Sequence, residues 1–157
     1  MHPDCDDGRI TAFGMLLEAH GALVAVVGRE LEAATDLTIG WFEVLIRLAR
    51  SPGQRLRMSE LASQAALSTS GLTRLVDRME EARLIRREAC PSDRRGAFAV
   101  LTDTGAAALE AALPAHLDSL ERHVVAPLGA ERLSELAAML ETLRDRARGG
   151  PPPPPGR

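Results

Sequence analysis

Apolar side chains recur every three or four residues along most of the chain, which is the period of an α-helix with one buried face. Residues 10–34 carry such a stripe, which is formed by Ile10, Phe13, Leu17, Val24, Val27 and Leu31. His20 lies within the same stripe. Thr38 is a suitable N-cap for a second helix over residues 39–49, and "SPG" follows as a helix breaker. The pattern therefore predicts two helices before residue 50.

The middle of the chain changes its pattern several times within a short stretch. Ser59 is a suitable cap for a short helix over residues 60–66, and a further helix is predicted over residues 69–82. "LIRREA" and "AFAVLT" read as short strands around a tight loop, and "QRLR" before them reads as extended. Together these elements predict a helix pair followed directly by a β-hairpin.

The last third of the chain is predicted to be helical again. Thr102 is a suitable cap for a long helix over residues 103–125, with a kink or local unwinding at Pro114. A final helix is predicted over residues 130–148, and the Pro-rich residues 149–157 are predicted to be a disordered tail.

The predicted helix over residues 69–82 has two contrasting faces. Its apolar face is formed by Leu72, Leu75, Val76 and Met79, and its polar face by Ser70, Thr73, Arg74 and Asp77, with Arg78 at the edge. Short polar side chains allow close approach to a DNA major groove, and arginine reaches guanine edges or phosphates. The first turn, which includes Ser68 and Thr69, offers free backbone N–H groups to a phosphate. The pattern favours a helix-turn-helix, although an ordinary amphipathic helix pair would have similar faces.

The hairpin that follows makes this a winged helix-turn-helix. Arg94 and Arg95 are predicted at the tip of the wing, where they can enter a minor groove. Asp93 can hold one of these side chains through a charge-assisted hydrogen bond. Arg86 and Arg87, at the base of the wing, are predicted near the phosphate backbone, with plain solvated charge as the alternative for both.

The charge distribution supports a surface for a polyanion. The 157 residues carry a net charge of −3, and all 19 basic residues are arginine. Residues 47–95 hold 11 arginines and six acidic residues, a local balance of +5. A basic segment between acidic ends indicates nucleic-acid binding, with chance clustering as the alternative.

The segment from residue 38 to residue 106 resembles the MarR family of bacterial winged-helix transcription regulators. Three motifs carry the resemblance: "LTRLVDRMEEARLIRR", "DRR" with Asp93 and Arg95 in the place of the family's Asp-x-Arg, and "LTDTG" at residues 101–105. Ala66 is a small departure, because many helix-turn-helix sequences have glycine at the turn. The resemblance implies a mainly α fold (an α+β winged helix-turn-helix) with about six helices and a small β-wing.

The resemblance also implies a homodimer that binds a palindromic operator on double-stranded DNA, most commonly as a repressor. Residues 8–36 and 103–148 would form a helical dimerisation domain, and residues 37–102 the DNA-binding domain. Leucine seams in the last two helices support this independently, because they offer more apolar surface than one small domain covers: Leu109, Leu113, Leu117 and Leu120, then Leu133, Leu136, Leu140 and Leu143.

Relatives in this family are commonly released from DNA by a small aromatic or phenolic ligand bound between the dimerisation helices and the winged domain. The candidates for such a ligand site are Phe13, His20 and Trp41. The alternative for His20 and Trp41 is an ordinary place in the core. Two cysteines leave a redox-responsive regulator as another alternative, through Cys5 or Cys90.

Other classes of protein are disfavoured by the sequence. It contains no GxSxG, HExxH, P-loop or Rossmann glycine motif, which argues against an enzyme, and no cofactor or metal is expected. His116 and His123 alone are a weak metal pair. Two cysteines, the absence of a run of 18 apolar residues, and an acidic N-terminus predict a cytoplasmic, nucleoid-associated protein without a membrane span. A winged-helix protein-interaction module that does not bind DNA remains the rival function.

Overall fold

The computed structural model describes residues 7–65, 69–90 and 93–149, and for residues 69 and 93–95 it describes the backbone only. The predicted Pro-rich tail, apart from Gly149, lies outside these residues. The chain divides into two compact units, Met1–Leu117 and Asp118–Arg157. The elements follow in this order: α1 (Gly8–Ala34), α2 (Ile39–Ala49), β1 (Arg55–Arg57), α3 (Met58–Gln64), α4 (Thr69–Glu81), β2 (Ile85–Cys90), β3 (Asp93–Leu101), α5 (Asp103–Leu120), a π-helical turn (Glu121–Val125), α6 (Ala126–Leu128) and α7 (Ala130–Ala147).

The first two predicted helices are confirmed. The side chain of Asp7 accepts a hydrogen bond from the amide of Arg9 at 2.8 Å, which starts α1 two residues earlier than predicted. The hydroxyl of Thr38 accepts from the amide of Trp41 at 3.3 Å and starts α2 at the predicted residue. Local capping chemistry therefore decides both helix starts.

The predicted N-cap of α3, Ser59, is wrong, and so is the predicted start at residue 60. The helix begins at Met58, and the carboxylate of Glu60 accepts from the amide of Arg57 at 3.2 Å. Arg57 is also the last residue of β1, where it pairs with Phe98. Because the strand ends with an extended residue, Arg57 itself serves as the N-cap and leaves Ser59 inside the helix.

The three strands form an antiparallel sheet in the order β1-β3-β2. Arg55 pairs with Val100 on one side of β3, and Arg86 pairs with Val100 on the other. One face of the sheet supplies Leu56, Ile85, Ala99 and Leu101 to the core that the helices of this unit cover. The largest fully buried side chains of that core come from five elements: Leu31, Phe42, Val44, Leu45, Leu48, Leu61, Leu72, Val76, Met79 and Ile85.

The long helix α5 differs from its prediction at its C-terminal end. The helix continues through Pro114 without local unwinding, and the irregular turn falls at Glu121–Val125 instead. There the amide of Ala126 bonds the carbonyl of Glu121, five residues earlier. Pro127 has no N–H for the carbonyl four residues before it, so regular α-helical bonding cannot continue through this turn.

The surface of α1 is unusually apolar for a helix with so little burial. Six per cent of its most apolar 18-residue window is buried, and the mean hydropathy of that window is 1.8. By length and composition alone this helix could cross a membrane. No membrane span is predicted from the sequence, because the chain has no run of 18 apolar residues. A helix that packs against another chain meets the same criterion, so the finding indicates an uncovered surface and leaves its partner open.

Candidate nucleic-acid interface

Helix α4 presents the polar face that the sequence predicts. Leu72, Val76 and Met79 are buried in the core, with Leu75 half-buried beside them. The exposed residues on the opposite side are Ser70, Thr73, Arg74 and Arg78. Burial of the apolar face therefore fixes which side chains of α4 point to solvent. Ser68 lies outside the described residues, and Thr69 is described by its backbone only.

The C-terminal end of α4 is held by the start of α5. The amide of Leu84 bonds the carbonyl of Met79 at 2.9 Å, and Arg83 between them has a φ of 60°, in the left-handed region. The hydroxyl of Thr102 lies 2.7 and 2.9 Å from the carbonyl oxygens of Arg83 and Leu84, and its single proton is shared between them. These bonds fix the angle at which the chain leaves α4 for the wing.

Arg87 on β2 is fully engaged with α4. Its guanidinium donates to Glu80 at 2.7 Å and to Asp77 at 2.5 Å, and it lies 3.4 Å from the carbonyl oxygen of Thr73. Partial burial lowers the pKa of Arg87, but the hydrogen bonds to Asp77 and Glu80 outweigh that effect and raise the pKa above its usual value. Arg87 is thus an ion-paired residue, and the alternative of plain solvated strand charge is wrong for it.

Arg86 lies on the opposite, outer face of the sheet. It donates to Glu88 at 2.6 Å, and Arg55 approaches the same carboxylate at 3.8 Å. The guanidiniums of Arg55 and Arg57 lie 4.9 and 5.6 Å from the centre of the Phe98 ring. An open depression of about 430 Å³ adjoins this cluster, lined by Pro52, Gly53, Arg55, Arg86, Glu88 and Val100. The sequence reading missed Arg55 and Arg57 as site residues, although the alternation in "RLR" could have indicated that they share a face.

The wing differs from the predicted tight loop. Asp93, Arg94 and Arg95 belong to β3, and Asp93 pairs with Cys90. The register shifts between Ala89 and Cys90, because Ala89 pairs with Ala97, and this leaves residues 94–96 as a bulge in β3. The two arginines are therefore close to the tip but on the strand. The groove contacts predicted for their side chains stay predictions.

The candidate ligand residues do not form a common pocket within the described chain. Phe13 is 62% exposed and His20 is also exposed, whereas Trp41 packs partly buried against the core. The core alternative for His20 is therefore wrong within this chain, and for Trp41 it agrees with the structure.

A partly buried histidine lies elsewhere, on α5, and its environment could not be predicted from the sequence. The ring of His116 is 4.2 Å from that of Phe42, and its Nδ1 is buried without a hydrogen-bond partner among the described residues. Desolvation lowers the pKa of His116, and the nearby Glu43 opposes that shift in part.

The redox and metal alternatives gain little from the structure. Cys90 is 5% exposed, and Cys5 lies outside the described residues. Among the residues that the structure describes, no group of three or more His, Cys, Asp or Glu side chains could hold a metal ion.

Comparison with known sequences gives one family throughout. The sequence profile of the MarR family matches residues 35–96, from the end of α1 to the wing. The transcriptional regulator HosA of Escherichia coli O111:H- is 33% identical over 96 residues, which cover 61% of this chain and 69% of HosA. The regulator PecS of Dickeya dadantii (strain 3937) is 30% identical over 100 residues, and the match spans 60% of the length of PecS.

Comparison with solved structures extends the likeness to most of the chain. AbsC, a MarR family transcriptional regulator from Streptomyces coelicolor, matches with a TM-score of 0.77 and 39% identity, over 88% of this chain and 93% of AbsC. Sco3205, from the same organism and solved in complex with DNA, matches with a TM-score of 0.77 and 34% identity, over 86% of this chain and 84% of Sco3205.

Proposed function

The chain belongs to the MarR family of transcriptional regulators, and on this premise we propose that it is a homodimeric repressor that binds a palindromic operator. The observation that carries the proposal is the division of α4 into a buried apolar face and an exposed face with Ser70, Thr73, Arg74 and Arg78. An exposed face of short polar side chains and arginines is suited to the major groove, where arginine reads guanine. Sco3205, which is 34% identical, was solved with DNA, and this supports the same use of the fold here.

The wing makes the second of the proposed contacts with DNA. Arg94 and Arg95 lie in the segment of β3 where the backbone register shifts. In the proposal Arg95 enters the minor groove beside the major groove occupied by α4, and Asp93 orients it. The free guanidiniums of Arg74 and Arg78, which have no ion pair within the described part of the chain, contact phosphates or base edges.

Release from DNA is proposed to follow from ligand binding. A small aromatic or phenolic anion, seated near Phe13, His20 and Trp41 once a second protomer is present, would favour a different spacing of the two α4 helices. DNA half-sites one turn apart are about 34 Å from centre to centre, so a dimer held at another spacing loses one of its two contacts.

The proposal is tested by the salt dependence of binding to a duplex that carries the promoter of a neighbouring gene. Phosphate neutralisation predicts that the logarithm of the binding constant falls linearly with the logarithm of the salt concentration. Arg95→Ala is expected to weaken binding by roughly 5- to 150-fold, which corresponds to about 1–3 kcal/mol.

Arg132→Ala serves as the control, because Arg132 is an exposed arginine on α7, outside the proposed interface. Unchanged operator affinity of Arg95→Ala would refute the wing contact. No salt-dependent binding to any duplex would instead favour the protein-interaction module.

A further inference from the structure

Three groups on one side of α4 meet the guanidinium of Arg87. The carbonyl oxygen of Thr73, the carboxylate of Asp77 and the carboxylate of Glu80 lie on successive turns of the helix, and all three are within 3.4 Å of an Arg87 nitrogen. Residues at these spacings fall on one face of a helix. One side chain from β2 therefore spans two turns of α4.

A backbone bond adds to this connection. The amide of Arg87 donates to Glu80 at 2.8 Å, through the carboxylate oxygen that the guanidinium does not use. β2 lies at the edge of the sheet, and the Arg87 amide on it bonds a carboxylate of α4. Glu80 thus satisfies an edge amide and holds the base of the wing against α4.

The charges make the connection relevant to DNA binding. Asp77 and Glu80 are about half exposed on the helix that is proposed to enter the major groove. Two uncompensated carboxylates there would repel the phosphates on both sides of the groove. Arg87 places a positive charge between them, and its two-pronged guanidinium suits two separate carboxylates better than a single ammonium does.

We propose that Arg87 is a positioning residue: it sets the angle between α4 and the wing and neutralises Asp77 and Glu80, and it does not itself contact DNA. The proposal rests on the proposed function, because it assigns a role within the same interface. It differs from the expectation from sequence, which placed Arg87 at the phosphate backbone.

The test is a double-mutant cycle on operator affinity. One side of the cycle is Arg87→Gln, and the other is the isosteric pair Asp77→Asn with Glu80→Gln, which keeps an acceptor for the Arg87 amide. Arg87→Gln alone is expected to weaken binding about tenfold, and adding the isosteric pair is expected to restore affinity to within about threefold of the parent. The isosteric pair in the parent background is expected to change affinity by less than about threefold. Equal effects of the isosteric pair in both backgrounds would overturn the proposal.

The salt dependence separates positioning from contact. Loss of a direct phosphate contact lowers the slope of log K against log salt by about 0.9 in any background, whereas a slope change caused by the uncompensated Asp77 and Glu80 is reversed by adding the isosteric pair. Arg47→Gln is the matched control, because Arg47 is 27% exposed and ion-paired with Glu43, as Arg87 is 29% exposed and ion-paired, but it lies on α2. A slope that stays reduced by about one when Arg87→Gln is combined with the isosteric pair, but is unchanged in Arg47→Gln, would overturn the proposal.

Arg87→Lys keeps the measurement informative if Arg87→Gln does not fold. A lysine can still bind a phosphate but cannot bridge both carboxylates, so the proposal expects weaker binding with the parent slope. Parent affinity in Arg87→Lys would overturn it.

Failure of the proposed repressor function would give a different experimental result from failure of the role proposed for Arg87. If the parent chain binds no duplex, the homodimeric repressor itself is refuted. If the parent binds and the cycle is additive, the role of Arg87 alone is refuted.

Discussion

At the scale of single residues, the structure separates arginines that are held by carboxylates from arginines that are not. Arg86 and Arg87 both have carboxylate partners, whereas Arg74 and Arg78 are exposed without an ion pair in the described part of the chain. The sequence predicts the position of each arginine on its element, but not its partner, because Glu80 and Arg87 meet only when β2 folds back on α4.

The environment of His116 disfavours its protonated form. Its buried Nδ1 has no hydrogen-bond partner among the residues that the structure describes, and desolvation lowers its pKa, so protonation is less favourable in the folded chain than in the unfolded chain. The unfolded chain therefore binds the proton first as pH falls. The stability that His116 contributes is complete above the unfolded pKa of about 6.5 and decreases as pH falls below it towards the lower folded value.

We expect His116→Leu to reduce the loss of thermal stability between pH 7.5 and pH 5.5. Leucine cannot take up a proton, and it preserves apolar contact with Phe42. The measurement is the unfolding midpoint as a function of pH. His20→Leu, which removes an exposed histidine from α1, is the comparison variant. Identical pH profiles for His116→Leu and the parent would contradict the assignment.

At the scale of elements, the junction of α4, β2 and α5 determines how the wing leaves the helix-turn-helix. Thr102 caps α5 by accepting from the amide of Gly105 at 3.0 Å, and its hydroxyl also reaches the carbonyls that end α4. A Cβ on Gly105 would lie 2.0 Å from the carbonyl oxygen of Leu84. Packing therefore explains the glycine of the motif "LTDTG", because only glycine lets α5 approach this turn.

We expect Gly105→Ala to destabilise the chain by about 3 kcal/mol or more, because the obstructing atom belongs to the backbone and cannot rotate away. The free energy of unfolding from urea titration measures this change. Gly40→Ala is the control: its Cβ would meet neighbours no closer than 3.9 Å, and the substitution should be neutral or stabilise α2 by up to about 1 kcal/mol. Similar stabilities of the two variants would show that α5 does not approach the turn so closely.

At the scale of the whole molecule, each unit by itself leaves apolar helix surface exposed. In the first unit α1 exposes Ile10, Phe13, Met15 and Leu17, and in the second unit α7 exposes Met139, Leu140 and Leu143. Contiguous exposed apolar surface of this kind is typical of an interface between chains. The assignment of residues 8–36 and 103–148 to a dimerisation domain stays a prediction.

We expect Leu140→Glu with Leu143→Glu to weaken self-association of the chain at least 100-fold, because the two charges would have to be buried without partners. Sedimentation in detergent-free buffer measures the mass, and the loss of one half-site should weaken operator binding in parallel. Arg132→Glu, an exposed charge change on the same helix, is the control. A parent chain that is monomeric, or that needs detergent to remain in solution, would contradict the dimer.

The sequence was sufficient to predict which residues form helices and which face of α4 is apolar. It predicted α2 to the residue, because Thr38 caps the helix locally and the apolar period is regular. It failed at the start of α3, at the irregular turn after α5 and at the wing, where β1, Pro127 and the β-bulge decide the outcome.

Periodicity and capping are short-range properties, so the sequence by itself determined the helices, the family and the candidate arginines. Only the tertiary structure decided that Arg87 is bound by Asp77 and Glu80, that the Nδ1 of His116 is buried without a partner among the described residues, and that Gly105 lies against Leu84. Each of these facts joins residues that are far apart in the chain or on different elements. Their contact depends on how the elements pack, which no local pattern of residues specifies.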